Sequence, residues 1–142
     1  MPSLTNRVSS LQSTGASLEV IIVPAKEVTD KIKEEGGPVP STRAIALIDT
    51  GASNSCVSQR IVDELALIPF DFQQVYTANG STEQLLYDVG FILPISQAVP
   101  IWVQAPGADL IGQPYGALIG RDVLASCTMF YNGPDNSFTL QL

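Results

Sequence analysis

Ala44-Ile45-Ala46-Leu47-Ile48-Asp49-Thr50-Gly51-Ala52-Ser53 is the stretch on which the reading of the whole chain turns. An apolar run ends abruptly in an acid, a threonine and a glycine. A short apolar run bounded by turn residues predicts a buried strand. That strand delivers Asp49 to its end, and Gly51 allows the chain to turn sharply there. A carboxylate in such a place is paired, hydrogen-bonded or functional, because a lone buried charge is costly. Asp-Thr-Gly by itself is a common tripeptide that often only caps a turn. Its apolar approach and the segments downstream give it more weight here.

The strongest of those segments is Ala117-Leu118-Ile119-Gly120-Arg121-Asp122-Val123-Leu124, with the pattern apolar-apolar-Gly-Arg-Asp-apolar-Leu. Leu47-Ile48-Asp49-Thr50-Gly51-Ala52-Ser53 resembles the active-site motif of aspartic proteases in their retropepsin-like form. The second block resembles the one near the end of retropepsin domains. The ordered pair is far more specific than either motif alone, and the resemblance runs from about Leu18 to Leu142. It implies an all-β fold, a retropepsin-like closed barrel (the acid protease fold) with one or two short helices. On this reading residues 1–14 are a flexible N-terminal arm and 15–142 the protease domain.

Composition agrees with a compact domain. The hydrophobic fraction is 45% and the charged fraction 15%, which suits a globular chain rather than a disordered one. Ten prolines and eleven glycines imply many turns and short elements, favouring a β-rich fold. A net charge of −7 argues against nucleic acid and anionic membrane surfaces as partners, since both require basic residues to meet phosphate. The chain has no histidine, which excludes the usual Ser-His-Asp and Cys-His mechanisms and leaves a zinc site short of ligands. No metal or cofactor is expected. Cys56 and Cys127 are read as buried or partly buried thiols in a reducing compartment. No apolar run is long enough to span a membrane, and residues 1–12 lack the apolar core of a signal peptide, so a cytoplasmic location is expected.

Elsewhere the signals are local. Leu18-Glu19-Val20-Ile21-Ile22-Val23 predicts a strand stopped by Pro24. Thr14-Gly15-Ala16-Ser17 echoes Thr50-Gly51-Ala52-Ser53, but Ser13 stands where the acid would be, and the echo is read as chance. Val28 to Glu35 predicts a short helix capped by Gly36-Gly37, within a charged connection over residues 26–43. Ser58 is an N-cap for a helix burying Ile61, Val62 and Leu65. Val75 to Tyr87 predicts a hairpin turning at Asn79-Gly80, where both residues tolerate positive φ. Two more strands are expected over 89–93 and 99–104, divided by Pro94 and a Ser96-Gln97 turn, then a loop from Ala105 to Gly116. Residues 128–131 and 137–142 form a last hairpin, with Phe138, Leu140 and Leu142 on one face.

Peptide hydrolysis without a metal or a covalent intermediate uses two carboxylates that share one proton. This chain has one Asp-Thr-Gly, so the second carboxylate must come from a second copy, with Asp49 meeting its equivalent across a two-fold axis. The resemblance implies the same arrangement, a homodimeric endopeptidase acting on peptide or protein substrates. It makes Asp49 catalytic, with Thr50, Gly51 and Ala52 supporting it. It makes Ala78, Asn79, Gly80 and Ser81 the tip of a flap over the substrate. Ile119, Gly120, Arg121, Asp122, Val123 and Leu124 then serve as pocket or structural residues. In many retropepsins the matching arginine pairs with an acid two residues after the motif glycine; that position is Ser53 here, which leaves the partner of Arg121 open. The alternative is a non-catalytic peptide-binding or scaffold domain that retains the fold.

Overall fold

The strand leading to Asp49 is Thr42–Ile48 (β3). The computed structural model describes residues 2–96 and 99–142, and in it β3 lies between two neighbours. Ala44, Ala46 and Ile48 point into the core while Arg43 and Ile45 face solvent, the alternation of a strand with one covered face. On one side β3 pairs antiparallel with Ser17–Pro24 (β2), on the other parallel with Ala117–Ile119 (β8). Beyond β8 come Cys56–Ser58 (β4), Ile101–Ala108 (β7), Gly80–Ile92 (β6) and Asp71–Thr77 (β5). Because β2 also pairs with β6, the order β2-β3-β8-β4-β7-β6 returns on itself, and β5 is left as an edge. The ring is filled by Val20, Ile22, Ala46, Val57, Val89, Phe91 and Ile119, all buried. The fold is therefore mostly β, with few short helices.

A second, three-stranded sheet has Ser137–Gln141 (β10) at its centre, flanked by Ser3–Arg7 (β1) and Thr128–Asn132 (β9). Residues 1–14, expected from their polar composition to be a flexible arm, differ from that expectation. Ser3–Arg7 pairs with β10 from Ser3 opposite Gln141 to Arg7 opposite Ser137, and Leu11–Thr14 (α1) buries Leu11. The first residues are held by the last ones, a pairing no local pattern announces.

Three further helices are present among the described residues, the first two where the sequence signals them. Lys26–Glu34 (α2) ends before Gly36, whose φ of +76° is a glycine conformation. Gln59–Glu64 (α3) is capped by Ser58, whose Oγ accepts from the Ile61 N–H at 3.3 Å. Arg121–Leu124 (α4) follows β8 directly. None of the described helices is long and apolar enough to cross a membrane.

Two expectations shift in detail. The turn of the β5–β6 hairpin is Ala78-Asn79, with Thr77 opposite Gly80; Gly80 alone takes positive φ, +114°. The loop expected from Ala105 is strand as far as Ala108. Pro106 sits opposite Leu86 on β6, and Gly107 and Ala108 pair with β4. Long-range pairing thus overrides a loop-like composition. Gln97 of the expected Ser96-Gln97 turn lies outside the described residues.

Candidate active site

Asp49 follows the last residue of β3, and its own backbone N–H donates to the Ile119 carbonyl of β8 at 2.8 Å. The loop then doubles back: the Ala52 N–H donates to the Asp49 carbonyl at 3.2 Å, and the Gly51 N–H to Asp49 Oδ1 at 3.0 Å. A Cβ built on Gly51 would stand 3.2 Å from that same oxygen, so a glycine there lets backbone come close to the carboxylate. Asp49 and Ala52 are partly exposed, and Thr50 and Gly51 are exposed. A carboxylate thus reaches solvent at the end of a buried strand.

The second block grips this loop from beneath. The Arg121 N–H donates to the Ala52 carbonyl at 2.8 Å, and its guanidinium Nη1 donates to the Thr50 carbonyl at 2.8 Å. Arg121 therefore braces the motif loop through backbone, without an acidic partner at Ser53. Asp122 accepts from the Ser55 N–H at 3.0 Å, from Ser55 Oγ at 2.6 Å and from the Val123 N–H at 2.8 Å. Ser55 Oγ in turn accepts from the Gly120 N–H at 2.9 Å. Ser55 is fully buried, and this network ties the chain just past Asp49 to the start of α4. Sequence reasoning passed over Ser55; a small hydroxyl residue six places after a strand-end acid carries no signal without its partner. A Cβ on Gly120 would stand 2.6 Å from the Asn54 carbonyl carbon, so the two segments meet too closely for any other residue.

Ile119 and Val123 are fully buried, each at 0% exposure. Of the pocket or structural roles expected for them, their burial suits the structural one: they are core side chains behind the site, because β8 and α4 turn these positions inward. Leu124 is partly buried and packs against the core. Ala78, Asn79, Gly80 and Ser81 are exposed at the tip of the hairpin, where Thr77 Oγ1 donates to the Gly80 carbonyl at 3.0 Å.

Thr14-Gly15-Ala16-Ser17 lies against the strand that it echoes. Ser17 pairs with Leu47, and the Ile48 N–H donates to the Ala16 carbonyl at 2.8 Å. Tyr115 joins the same wall, its hydroxyl donating to the Thr14 carbonyl at 3.3 Å. Cys56 is buried next to the motif; burial chiefly raises its thiol pKa, and the charges of Asp49 and Asp122 add to the rise. Both cysteines are free thiols. Among the described residues no group of three or more His, Cys, Asp or Glu side chains is placed to hold a metal ion. A groove of about 860 Å³ opens elsewhere, between α3 and residues 108–116, and Asp49 is not in its wall.

No protein-family model matches this sequence, and no curated protein is similar to it in sequence. Solved structures are similar in fold. The protease of simian foamy virus (mac) superposes with a TM-score of 0.51 at 19% identity, over 78% of this chain and 92% of that one. A retropepsin-like aspartic protease from Rickettsia conorii superposes with a TM-score of 0.50 at 13% identity, over 88% of this chain and 91% of that one. A ring of strands with β3 at its heart, few helices and near-complete coverage of both neighbours give the chain the fold of retroviral and retropepsin-like aspartic proteases.

Proposed function

We propose that the protein is an aspartic endopeptidase whose active site forms when two copies bring their Asp49 carboxylates together. The observation that carries this reading is a partly exposed Asp49 at the end of a buried strand, on a loop braced by Arg121 and by the Ser55–Asp122 network. A turn cap needs no such support. One Asp-Thr-Gly per chain supplies half of the chemistry, and a second copy supplies the other half.

Two carboxylates held close cannot both ionise, so the pair shares one proton. The ionised member takes a proton from a water molecule as its oxygen attacks the scissile carbonyl. The protonated member donates to the carbonyl oxygen as negative charge develops there. The tetrahedral intermediate then collapses: the C–N bond breaks and a proton passes to the leaving amine. Ala78, Asn79, Gly80 and Ser81 cover an extended substrate, whose backbone pairs with the hairpin while its side chains alternate between pockets. Basic and apolar peptides suit an acidic chain better than acidic ones do.

Asp49→Asn tests the reading. Both halves of the pair come from this residue, so cleavage of an unstructured protein should fall to background while the circular dichroism spectrum and thermal midpoint stay close to wild type. A variant that cleaves as fast as wild type would overturn the mechanism.

A further inference from the structure

Two asparagines of the chain, Asn79 and Asn132, are each followed by glycine. Each sits at a hairpin turn and each is exposed, yet the two turns are held differently. Asn132 closes β9, and its side-chain Oδ1 accepts from the Asp135 N–H at 3.1 Å. Asp135 is itself held by Arg7 and Ser137, and the Asn136 N–H donates to the Gly133 carbonyl at 3.1 Å. That turn is strapped from within and from β1. At the Ala78-Asn79 turn the side-chain bonds all involve Thr77. Its Oγ1 donates to the Gly80 carbonyl at 3.0 Å and accepts from the Asn79 N–H at 3.3 Å. Among the described residues no hydrogen bond reaches the Asn79 side-chain amide. Gly80 takes a φ of +114°, and a Cβ built on it would meet nothing within 4 Å.

We propose that Asn79 is a site of spontaneous covalent modification: it deamidates to aspartate and isoaspartate at the hairpin tip, while Asn132 is protected. The Gly80 backbone nitrogen gives up its proton to water or hydroxide and attacks Cγ of Asn79. The bond from Cγ to the side-chain nitrogen breaks, ammonia leaves, and a five-membered succinimide closes. Water then reopens the ring. Addition at Cγ gives aspartate; addition at the main-chain carbonyl gives isoaspartate, which carries one more methylene in the backbone. The net exchange is one water in and one ammonia out. Three features select Asn79. A glycine follows it, so no side chain shields the attacking nitrogen. Its amide is free to rotate and present Cγ, whereas at Asn132 the bond from Asp135 holds the amide in place. A hairpin tip also opens locally at low cost, which lets the backbone reach the attacking geometry. Either product puts a carboxylate where a neutral amide stood. Isoaspartate in addition lengthens a two-residue turn, so the pairing of Thr77 with Gly80 is lost. The consequence for activity rests on the reading above, in which this tip covers the substrate over a pair of carboxylates: a further negative charge there weakens the cover.

Peptide mapping by mass spectrometry tests the assignment on folded wild type and on the same chain unfolded in guanidinium chloride, both incubated at mildly alkaline pH. The map reads the mass change from amide to acid and separates the aspartate and isoaspartate peptides. Unfolded, both Asn-Gly pairs should convert at similar rates. Folded, Asn79 should convert at close to its unfolded rate, and Asn132 should be slowed about tenfold, the upper worth of one neutral hydrogen bond. Asn79 slowed as much as Asn132, or left intact while the unfolded chain converts, would overturn the proposal. Asn79→Gln supplies the control, since glutamine must close a larger, slower ring: conversion at the tip should cease while that at Asn132 continues unchanged. Activity is read separately. Wild type should lose activity on ageing in proportion to the fraction converted at Asn79, and Asn79→Gln should hold whatever activity it starts with; equal losses in the two would overturn the effect on the cover. The mass readout ignores activity, so the two readings fail separately. A chain that deamidates at Asn79 and cleaves nothing keeps the modification site and removes the protease. A chain that cleaves and keeps Asn79 intact does the reverse.

Discussion

Ser55 shows how much of this site rests on one hydroxyl. Its Oγ donates to Asp122 and accepts from the Gly120 N–H, all within a buried junction. Ser55→Ala leaves the Gly120 N–H without its acceptor, and an unsatisfied buried group costs about 1–3 kcal/mol. Denaturant unfolding should report a loss of that size, with a fall in activity as the Asp49 loop loosens. A second residue-scale effect is titratable. Asp135 accepts from Arg7 at 2.6 Å, and that bond, followed by one from Ser137, holds its carboxyl below its ordinary 3.8. A carboxylate with a lowered folded pKa stabilises above its unfolded value and loses that contribution as pH falls through the folded one. The stability gap between wild type and Asp135→Asn should therefore be constant from about pH 7 to pH 5 and shrink as pH falls below 3.8.

At the scale of elements, the β5–β6 hairpin extends past the core that anchors it. In β6 the odd positions Tyr87, Val89 and Phe91 point inward. Leu85 and Ser81 continue that face, with Phe72 and Tyr76 opposite them, and Phe72, Tyr76 and Leu85 are all exposed. The face over the core thus runs on with Phe72, Leu85 and Tyr76 exposed on either side of the Gln74–Glu83 pair. Tyr76→Ser should change folding stability by no more than about 0.5 kcal/mol, as for an exposed position. It should raise KM about tenfold, the equivalent of one lost apolar contact with substrate. Steady-state kinetics with a folding control checks this; an unchanged KM would place the substrate elsewhere.

At the scale of the whole molecule, the two-carboxylate reading proposed above puts half a site in each chain. Dilution below the dimer dissociation constant removes the site itself rather than merely slowing it. Specific activity should therefore fall as the enzyme is diluted, tracking the dimer fraction measured by sedimentation under the same conditions. Activity per chain that stays flat down to concentrations holding only monomer would exclude the shared pair.

Features set by neighbours along the chain were legible in the sequence. The apolar run ending at Asp49, the Ser58 cap, the hairpin near Gly80 and the final hairpin are local, because strand alternation, capping and turn conformation depend on a few adjacent residues. Features set by partners far along the chain were not. The pairing of Ser3–Arg7 with β10 joins segments far apart in the sequence, and Pro106 is held in a strand by Leu86 across the sheet. The sequence leaves the partner of Arg121 open, and in the structure it donates to the Thr50 carbonyl; it leaves Ile119 and Val123 as pocket or structural residues, and both are buried. A sequence pattern states which side chains share a face and where the chain turns. Which distant backbone or hydroxyl a side chain meets is decided only when packing has closed the ring of strands around it.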